Sequence, residues 1–159
     1  MNGAIYTGDW VNDKQHGKGS EDWPDGSRFE GDYQLGMKHG KGTFTWEDGA
    51  SYIGDFFEND IHGKGKYIWA DQRVYDGGWV KNKMEGKGVF IWQDGRRYEG
   101  DYLLDKKHGF GTFTWPDGRK YEGSWHNGKQ SGISYYTYAN GVKRKGQWEN
   151  GHRIEWFMD

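Results

Sequence analysis

Histidines stand at His16, His39, His62 and His108, and aspartates at Asp25, Asp48, Asp71, Asp94 and Asp117, all in step with a 23-residue period. A row of imidazoles could build a zinc site, and a row of aspartates a calcium-binding β-roll. The spacing opposes both. With two strands per period, neighbouring histidines lie about 10 Å apart, whereas ligands sharing one zinc sit about 2.1 Å from it. Aspartates of a β-roll stack about 4.8 Å apart, half of this pitch. Each imidazole is therefore expected to support its turn beside Gly17, Gly40, Gly63 or Gly109, and each aspartate to form a turn. Glu85 and Ser131 at the histidine place show that the role tolerates replacement. No metal and no cofactor are expected.

Lysines form a third row. Lys18, Lys41, Lys64 and Lys87 are the centres of Gly-Lys-Gly triplets, with Lys38, Lys106 and Lys107 near the same hairpin tips. These triplets lie in hairpins and have no helix N-terminus to aim at a phosphate. No nucleophile elbow, P-loop or dinucleotide fingerprint occurs, so the segment does not read as an enzyme. The lysine edge could meet anionic phospholipid, each lysine near the surface being worth about 1 kcal/mol. The alternative is a solvated edge that blocks strand pairing. Acidic side chains on the adjacent face favour the second reading.

The period itself names the elements that must carry these rows. Tyr6, Phe29, Tyr52, Tyr75, Tyr98 and Tyr121 form one series, and Trp23, Trp46, Trp69, Trp92, Trp115 and Tyr138 another, without an insertion. A fixed period of this size marks an array in which each unit packs on its neighbours. In the unit Tyr98–Lys120, rings and glycines alternate with polar residues at Tyr98, Gly100 and Tyr102, and again at Gly111, Phe113 and Trp115. That is the strand period. The polar segment from Leu104 to Gly109 reads as one turn, and Pro116-Asp117-Gly118 as another. Each unit is thus a hairpin. Parity places Tyr98 opposite Trp115 and Tyr102 opposite Gly111, giving a continuous ring column flanked by columns in which rings cover glycines. The second loop must then hold an odd number of residues, with Gly26, Gly49, Gly95, Gly118 and Gly141 at positive φ. Gln72 interrupts that series, so its turn should be strained or differently shaped.

Composition agrees. The chain has 28 Gly, no Cys, 33% hydrophobic residues and 18% aromatics. Disordered chains are poor in aromatics, so the interior must be made of rings. The net charge of −2 argues against nucleic-acid binding. The start of the chain lacks signal-peptide character, and no apolar run reaches the roughly 20 residues of a membrane span.

The segment from Tyr98 through Gly123 resembles the MORN repeat (membrane occupation and recognition nexus), with its Tyr-x-Gly, His-Gly-x-Gly and Asp-Gly elements. The resemblance covers residues 6–28, 29–51, 52–74, 75–97, 98–120 and 121–143, after a lead-in at 1–5 and before a partial seventh repeat and cap at 144–159. It implies an all-β fold, an elongated twisted single antiparallel sheet of tandem β-hairpins. It also implies a scaffold in the cytoplasm, at the cytoskeleton, cilium or membrane cortex, and in some members dimerisation or a peptide or helix held in a groove. The expected function is a non-catalytic adaptor binding a protein partner, or a second copy, along the ring-and-glycine face. The expected contacts there are Tyr52, Phe56, Trp79, Trp92, Tyr98 and Tyr102. The alternatives are an anionic-phospholipid tether through Lys18, Lys38, Lys41, Lys64, Lys87, Lys106 and Lys107, and a targeting domain of a larger enzyme. Residues 152–159 fit either a closing strand or a short helix.

Overall fold

The computed structural model describes residues 3–158; Met1 and Asn2 of the lead-in and Asp159 of the cap lie outside the described residues. The described chain is all-β. Its strands are β1 (Ile5–Val11), β2 (Lys14–Asp22), β3 (Arg28–Gln34), β4 (Met37–Thr45), β5 (Ser51–Phe57), β6 (Asp60–Ile68), β7 (Val74–Val80), β8 (Lys83–Ile91), β9 (Arg97–Leu103), β10 (Lys106–Thr114), β11 (Lys120–His126), β12 (Lys129–Thr137), β13 (Lys143–Glu149) and β14 (His152–Trp156). They fall into two compact units, Met1–Asn82 and Lys83–Asp159. In unit 1, β1 to β7 pair antiparallel in chain order; in unit 2, β8 to β14 do the same. The tail closes unit 2 as a strand, and the Phe157 amide extends the pairing to the Lys145 carbonyl at 2.9 Å.

Two kinds of turn alternate. The first holds only two residues, both at positive φ, as at Glu58-Asn59 and Leu104-Asp105. That is the geometry whose twist matches a hairpin. The expected turn from Leu104 to Gly109 is therefore corrected: Lys106, Lys107 and His108 already belong to β10. The second turn runs from the tryptophan. Trp115 N–H donates to the Arg119 carbonyl at 2.9 Å, and Gly118 N–H to the Trp115 carbonyl at 3.0 Å. Its five residues are odd in number, as expected, and Gly26, Gly49, Gly95, Gly118 and Gly141 all have φ between 90° and 97°. Gln72 takes φ 78° and keeps the same bonds, 3.0 Å to the Trp69 carbonyl, so its turn is strained but not reshaped.

The register differs from the parity reading because the first turn is shorter than expected, and a bulge restores part of the offset, leaving two residues at Tyr98, which faces Phe113. Lys107 faces Tyr102, but the next pair is Gly111 with Gly100, so His108, Gly109 and Phe110 together oppose Asp101. The bulge is held by that aspartate: its Oδ2 accepts the Phe110 N–H at 3.3 Å, as Asp55 accepts Lys64 N–H at 2.9 Å. Glycine consequently faces glycine. In unit 1 the column runs Gly8, Gly19, Gly31, Gly42, Gly54, Gly65, Gly77. Beside it runs a ring column in which Phe44 faces Tyr52 and Tyr52 faces Tyr67; in unit 2, Tyr98 faces Phe113 and Phe113 faces Tyr121. The tryptophans expected in that column sit instead at the turn. Tyr102 faces Lys107 in its own hairpin and Gly86 in the preceding one, rather than Gly111.

This arrangement makes a core from one layer. With no side chain on either glycine, the ring of the first-strand tyrosine lies down over the backbone. Phe29, Tyr52, Tyr75, Tyr98 and Tyr121 are each 0% exposed. A second ring meets each edge-on: Tyr52 contacts Phe56 at 5.2 Å and Trp79 at 5.8 Å, and Tyr98 contacts Tyr102 at 5.2 Å and Trp125 at 5.5 Å. Edge-to-face pairs at this separation add about 0.5–1.5 kcal/mol each beyond the area they bury.

Candidate functional site

The face opposite the rings carries the histidines and the lysine row. His16, His39 and His62 do support turns, but those of the following repeat: Nδ1 accepts the backbone N–H of Leu35 at 3.3 Å, Glu58 at 3.4 Å and Lys81 at 3.2 Å. Accepting there requires the neutral ring with its proton on Nε2. The turn aspartates act as expected; Asp48 Oδ1 accepts Ala50 N–H at 2.9 Å and Asp117 Oδ1 accepts Arg119 N–H at 3.0 Å. Among the described residues, no group of three metal-ligating side chains converges.

Lys18, Lys41 and Lys87 reach across to the next repeat and pair with Asp32, Asp55 and Asp101, the last at 2.7 Å. The Asp101 carboxyl is held below the usual carboxylate range, first by Lys87, against burial, and then by the Phe110 N–H. For Asp32 and Asp55 burial is the largest influence and opposes this, but lysine and backbone N–H together outweigh it and lower both. Lys64 has Gly78 where the other lysines find an aspartate. Lys106 is exposed at a hairpin tip. Lys38 and Lys107 are not on this face at all. Each extends over the rings, Lys38 Nζ 5.3 Å from the Trp23 centroid and Lys107 Nζ 5.4 Å from Trp92 and 5.5 Å from Trp125. The lysines expected to form one edge are thus divided between two faces, because the short turn and the bulge put Lys38 and Lys107 in phase with the rings.

Of the six expected groove contacts, Tyr52, Phe56, Trp79, Tyr98 and Tyr102 are core side chains, none more than 5% exposed. A partner meeting this face would touch other atoms. Trp92 alone of the set is half-buried and reachable. It belongs to a zigzag of rings across unit 2: Trp92 to Phe113 at 5.4 Å, Phe113 to Trp115 at 4.5 Å, Trp115 to Tyr136 at 6.2 Å, Tyr136 to Tyr138 at 5.2 Å and Tyr138 to Trp156 at 6.1 Å. Unit 1 has its own, from Trp23 through Phe44, Trp46 and Tyr67 to Trp69.

At the C-terminal end of unit 2 the ring face sinks into a concavity of about 300 Å³ lined by Gln130, Tyr136, Tyr138, Trp148, Arg153 and Trp156. Arg144 and Arg153 each place their guanidinium 4.5 Å from the centroid of Trp156. Neither this pocket nor its arginines stood out in the chain, because the partial seventh repeat departs from the pattern that flags equivalent residues elsewhere. The usable signal was the series Gln15, Lys38, Ile61, Met84, Lys107, Gln130, Arg153, one per repeat.

No curated protein matches the chain by sequence. Among solved structures, it is similar to the SAS-4 TCP domain of Drosophila melanogaster in complex with a proline-rich motif of Ana2, with 13% identity and TM-score 0.48 over 89% of this chain and 85% of that one. It is also similar to the TCP10 domain of Danio rerio CPAP in complex with a peptide of STIL, with 15% identity and TM-score 0.38 over 89% and 68%. The MORN repeat family matches residues 6–28, 29–51, 52–72, 75–96, 98–118 and 121–143. With strands, bulges and turns recurring at that period through nearly the whole chain, the protein belongs to the MORN repeat family.

Proposed function

We propose that this chain is a non-catalytic scaffold that binds a protein partner along its ring-bearing face, within a cytoskeletal, ciliary or cortical assembly. The observation that carries this reading is the ring zigzag of unit 2, half-buried except at the buried Phe113, which ends in an open pocket faced by arginines. Aromatic and arginine side chains that are already fixed by packing lose little entropy on binding and dominate the energetics of interfaces. Side chains such as Tyr98 and Tyr102 supply the rigid floor; Trp92, Trp115, Tyr138 and Trp156 supply contact. Among the described residues no helix is long and apolar enough to cross a membrane. The lipid-tether reading draws less support, since three of its lysines already hold aspartates.

The test is a pull-down from the source cell with the wild-type chain and a Trp92→Ala/Trp115→Ala variant of matched circular dichroism. A partner retained by the wild type and lost from the variant supports the reading. A folded variant that keeps every partner removes it. Imaging the tagged chain tests the assembly.

A further inference from the structure

The ring face of unit 2 carries positive charge that the chain does not neutralise. Lys107, Arg144 and Arg153 make no ion pair with any described residue. Lys107 is half-buried, with its ammonium 5.4 to 5.8 Å from the centroids of Trp92, Tyr98, Phe113 and Trp125. Removing a charge from water without a counter-charge is costly. Burial, and then the nearby Arg96 guanidinium, push the Lys107 amine below its ordinary range.

Unit 1 shows how the same place is handled internally. Lys38 stands at the equivalent repeat position; burial lowers its amine too, but Glu21 lies on the same face and partly offsets this by favouring the charged form. Glu21 is itself fixed by the Tyr33 hydroxyl at 2.7 Å and Gln15 Nε2 at 3.2 Å. The residue that stands to Lys107 as Glu21 stands to Lys38, in the preceding repeat, is Phe90. The counter-charge has been replaced by a ring. The balance of the whole unit follows: residues 83–159 hold 13 Lys and Arg against 10 Asp and Glu, whereas residues 1–82 hold 9 against 14.

Two of the three cations, Lys107 and Arg153, end one line of the sheet, and Arg144 lies beside it. Lys107 lies over Trp125, Trp125 faces Gln130, Gln130 lines the pocket with Trp148, and Trp148 faces Arg153. From β10 to β14 this row crosses four strand spacings, about 19 Å, the reach of about six extended residues. Arg144 faces Tyr136 beside it.

Resting on the scaffold reading above, we propose that this row docks a short acidic segment of the partner protein. Its carboxylates sit against Lys107, Arg144 and Arg153, and its apolar side chains enter the pocket of Tyr136, Tyr138 and Trp156. Charge complementarity chooses the partner and speeds encounter, and the rings hold it.

The test uses the full chain and fluorescence anisotropy. The probe is a fluorescein-labelled peptide of Glu-Glu-Leu-Phe repeated to about 12 residues, long enough to span the row, compared with versions carrying Gln or Lys in place of Glu. The Glu peptide is expected to bind at least about tenfold more tightly than the Gln peptide, a margin of about 1.4 kcal/mol, and to weaken as salt rises. Lys107→Met and Arg144→Gln/Arg153→Gln should each weaken it several-fold without lowering the urea midpoint; Lys64→Gln, on the other face, should not. Equal binding of the Gln or Lys peptide, or equal loss in Lys64→Gln, overturns the acidic assignment and leaves the scaffold standing. No binding by any peptide also overturns it, and the Trp92→Ala/Trp115→Ala pull-down then decides the scaffold separately. Self-association abolished by Lys107→Met in sedimentation, without peptide, would assign the site to a second copy and overturn the partner segment.

Discussion

The phenol ring of Tyr52 lies across Gly65, diagonal to it on the neighbouring strand, so closely that a Cβ at Gly65 would overlap the tyrosine hydroxyl and ring. That hydroxyl goes on to donate to the Asp55 carbonyl at 2.9 Å, at the bulge. Tyr98 repeats the contact over Gly111 and donates to the Asp101 carbonyl at 2.9 Å. The absent side chain and the bulge are therefore one device, since the ring can reach the bulge only by crossing bare backbone. Gly65→Ala is expected to cost about 3 kcal/mol or more, the range of overpacked cores. Gly49→Ala meets nothing within 4 Å and bears only its φ of 93°, so it should cost about 1–2 kcal/mol. Urea unfolding of the two variants checks the ordering; equal costs would refute the packing argument.

Gln72 supplies the converse case. Its φ of 78° is a glycine conformation occupied by a side chain, at a strain of about 1–2 kcal/mol. Glycine relieves that strain but costs more entropy on folding. Gln72→Gly should therefore stabilise the chain modestly, by about 0.5–1 kcal/mol. Thermal and urea unfolding would both show it, and a lower midpoint would contradict it.

These two positions also show what a sequence of this kind reveals and conceals. The Asp-Gly turns were legible because glycine alone fills a left-handed site cheaply, and Gln72 stood out by breaking the row. The first turn was missed because the unit Tyr98–Lys120 has Leu104 at positive φ, although Asn127-Gly128 and Asn150-Gly151 carry the residue pair that this turn favours. Reading the turn as longer than two residues shifted every cross-strand partner, so Tyr102 was set against Gly111. The His-Gly pair was read as a turn although it forms the bulge; the aspartate that closes the bulge looked like one more solvated acid. The same shift misplaced Lys38 and Lys107. Burial of Tyr52, Phe56, Trp79, Tyr98 and Tyr102 escaped because it comes from rings of successive repeats covering one another, a relation across a period rather than within it.

Acid should loosen the bulges. Asp32, Asp55 and Asp101 all titrate below an unfolded aspartate, whose value is about 3.9. Their contribution is therefore complete above that value and is lost as pH falls through the lower folded values. The wild-type urea midpoint should be flat from neutral pH to about 5 and then fall. Asp101→Asn keeps an acceptor for the Phe110 N–H but cannot titrate. It should start lower at neutral pH, having lost the Lys87 pair, and fall less steeply below about 4. An unchanged acid limb would mean that these carboxylates do not set it.

The same aspartates govern whether the opposite face can meet a membrane. Lys18, Lys41 and Lys87 remain about three-quarters exposed or more, at 81%, 75% and 80%, yet each holds an aspartate. An anionic headgroup must compete with that partner. Wild-type chain should therefore bind phosphatidylserine vesicles weakly. Asp32→Asn/Asp55→Asn releases Lys18 and Lys41 while keeping acceptors for the backbone N–H groups of the bulges. At about 1 kcal/mol per lysine freed near the surface, the double variant should bind such vesicles on the order of tenfold more tightly, with the gain erased by salt. Co-sedimentation measures it. Tight, salt-sensitive binding by the wild type, unaltered in the double variant, would show that pairing does not restrain the lysine row and would return the membrane to the functional account.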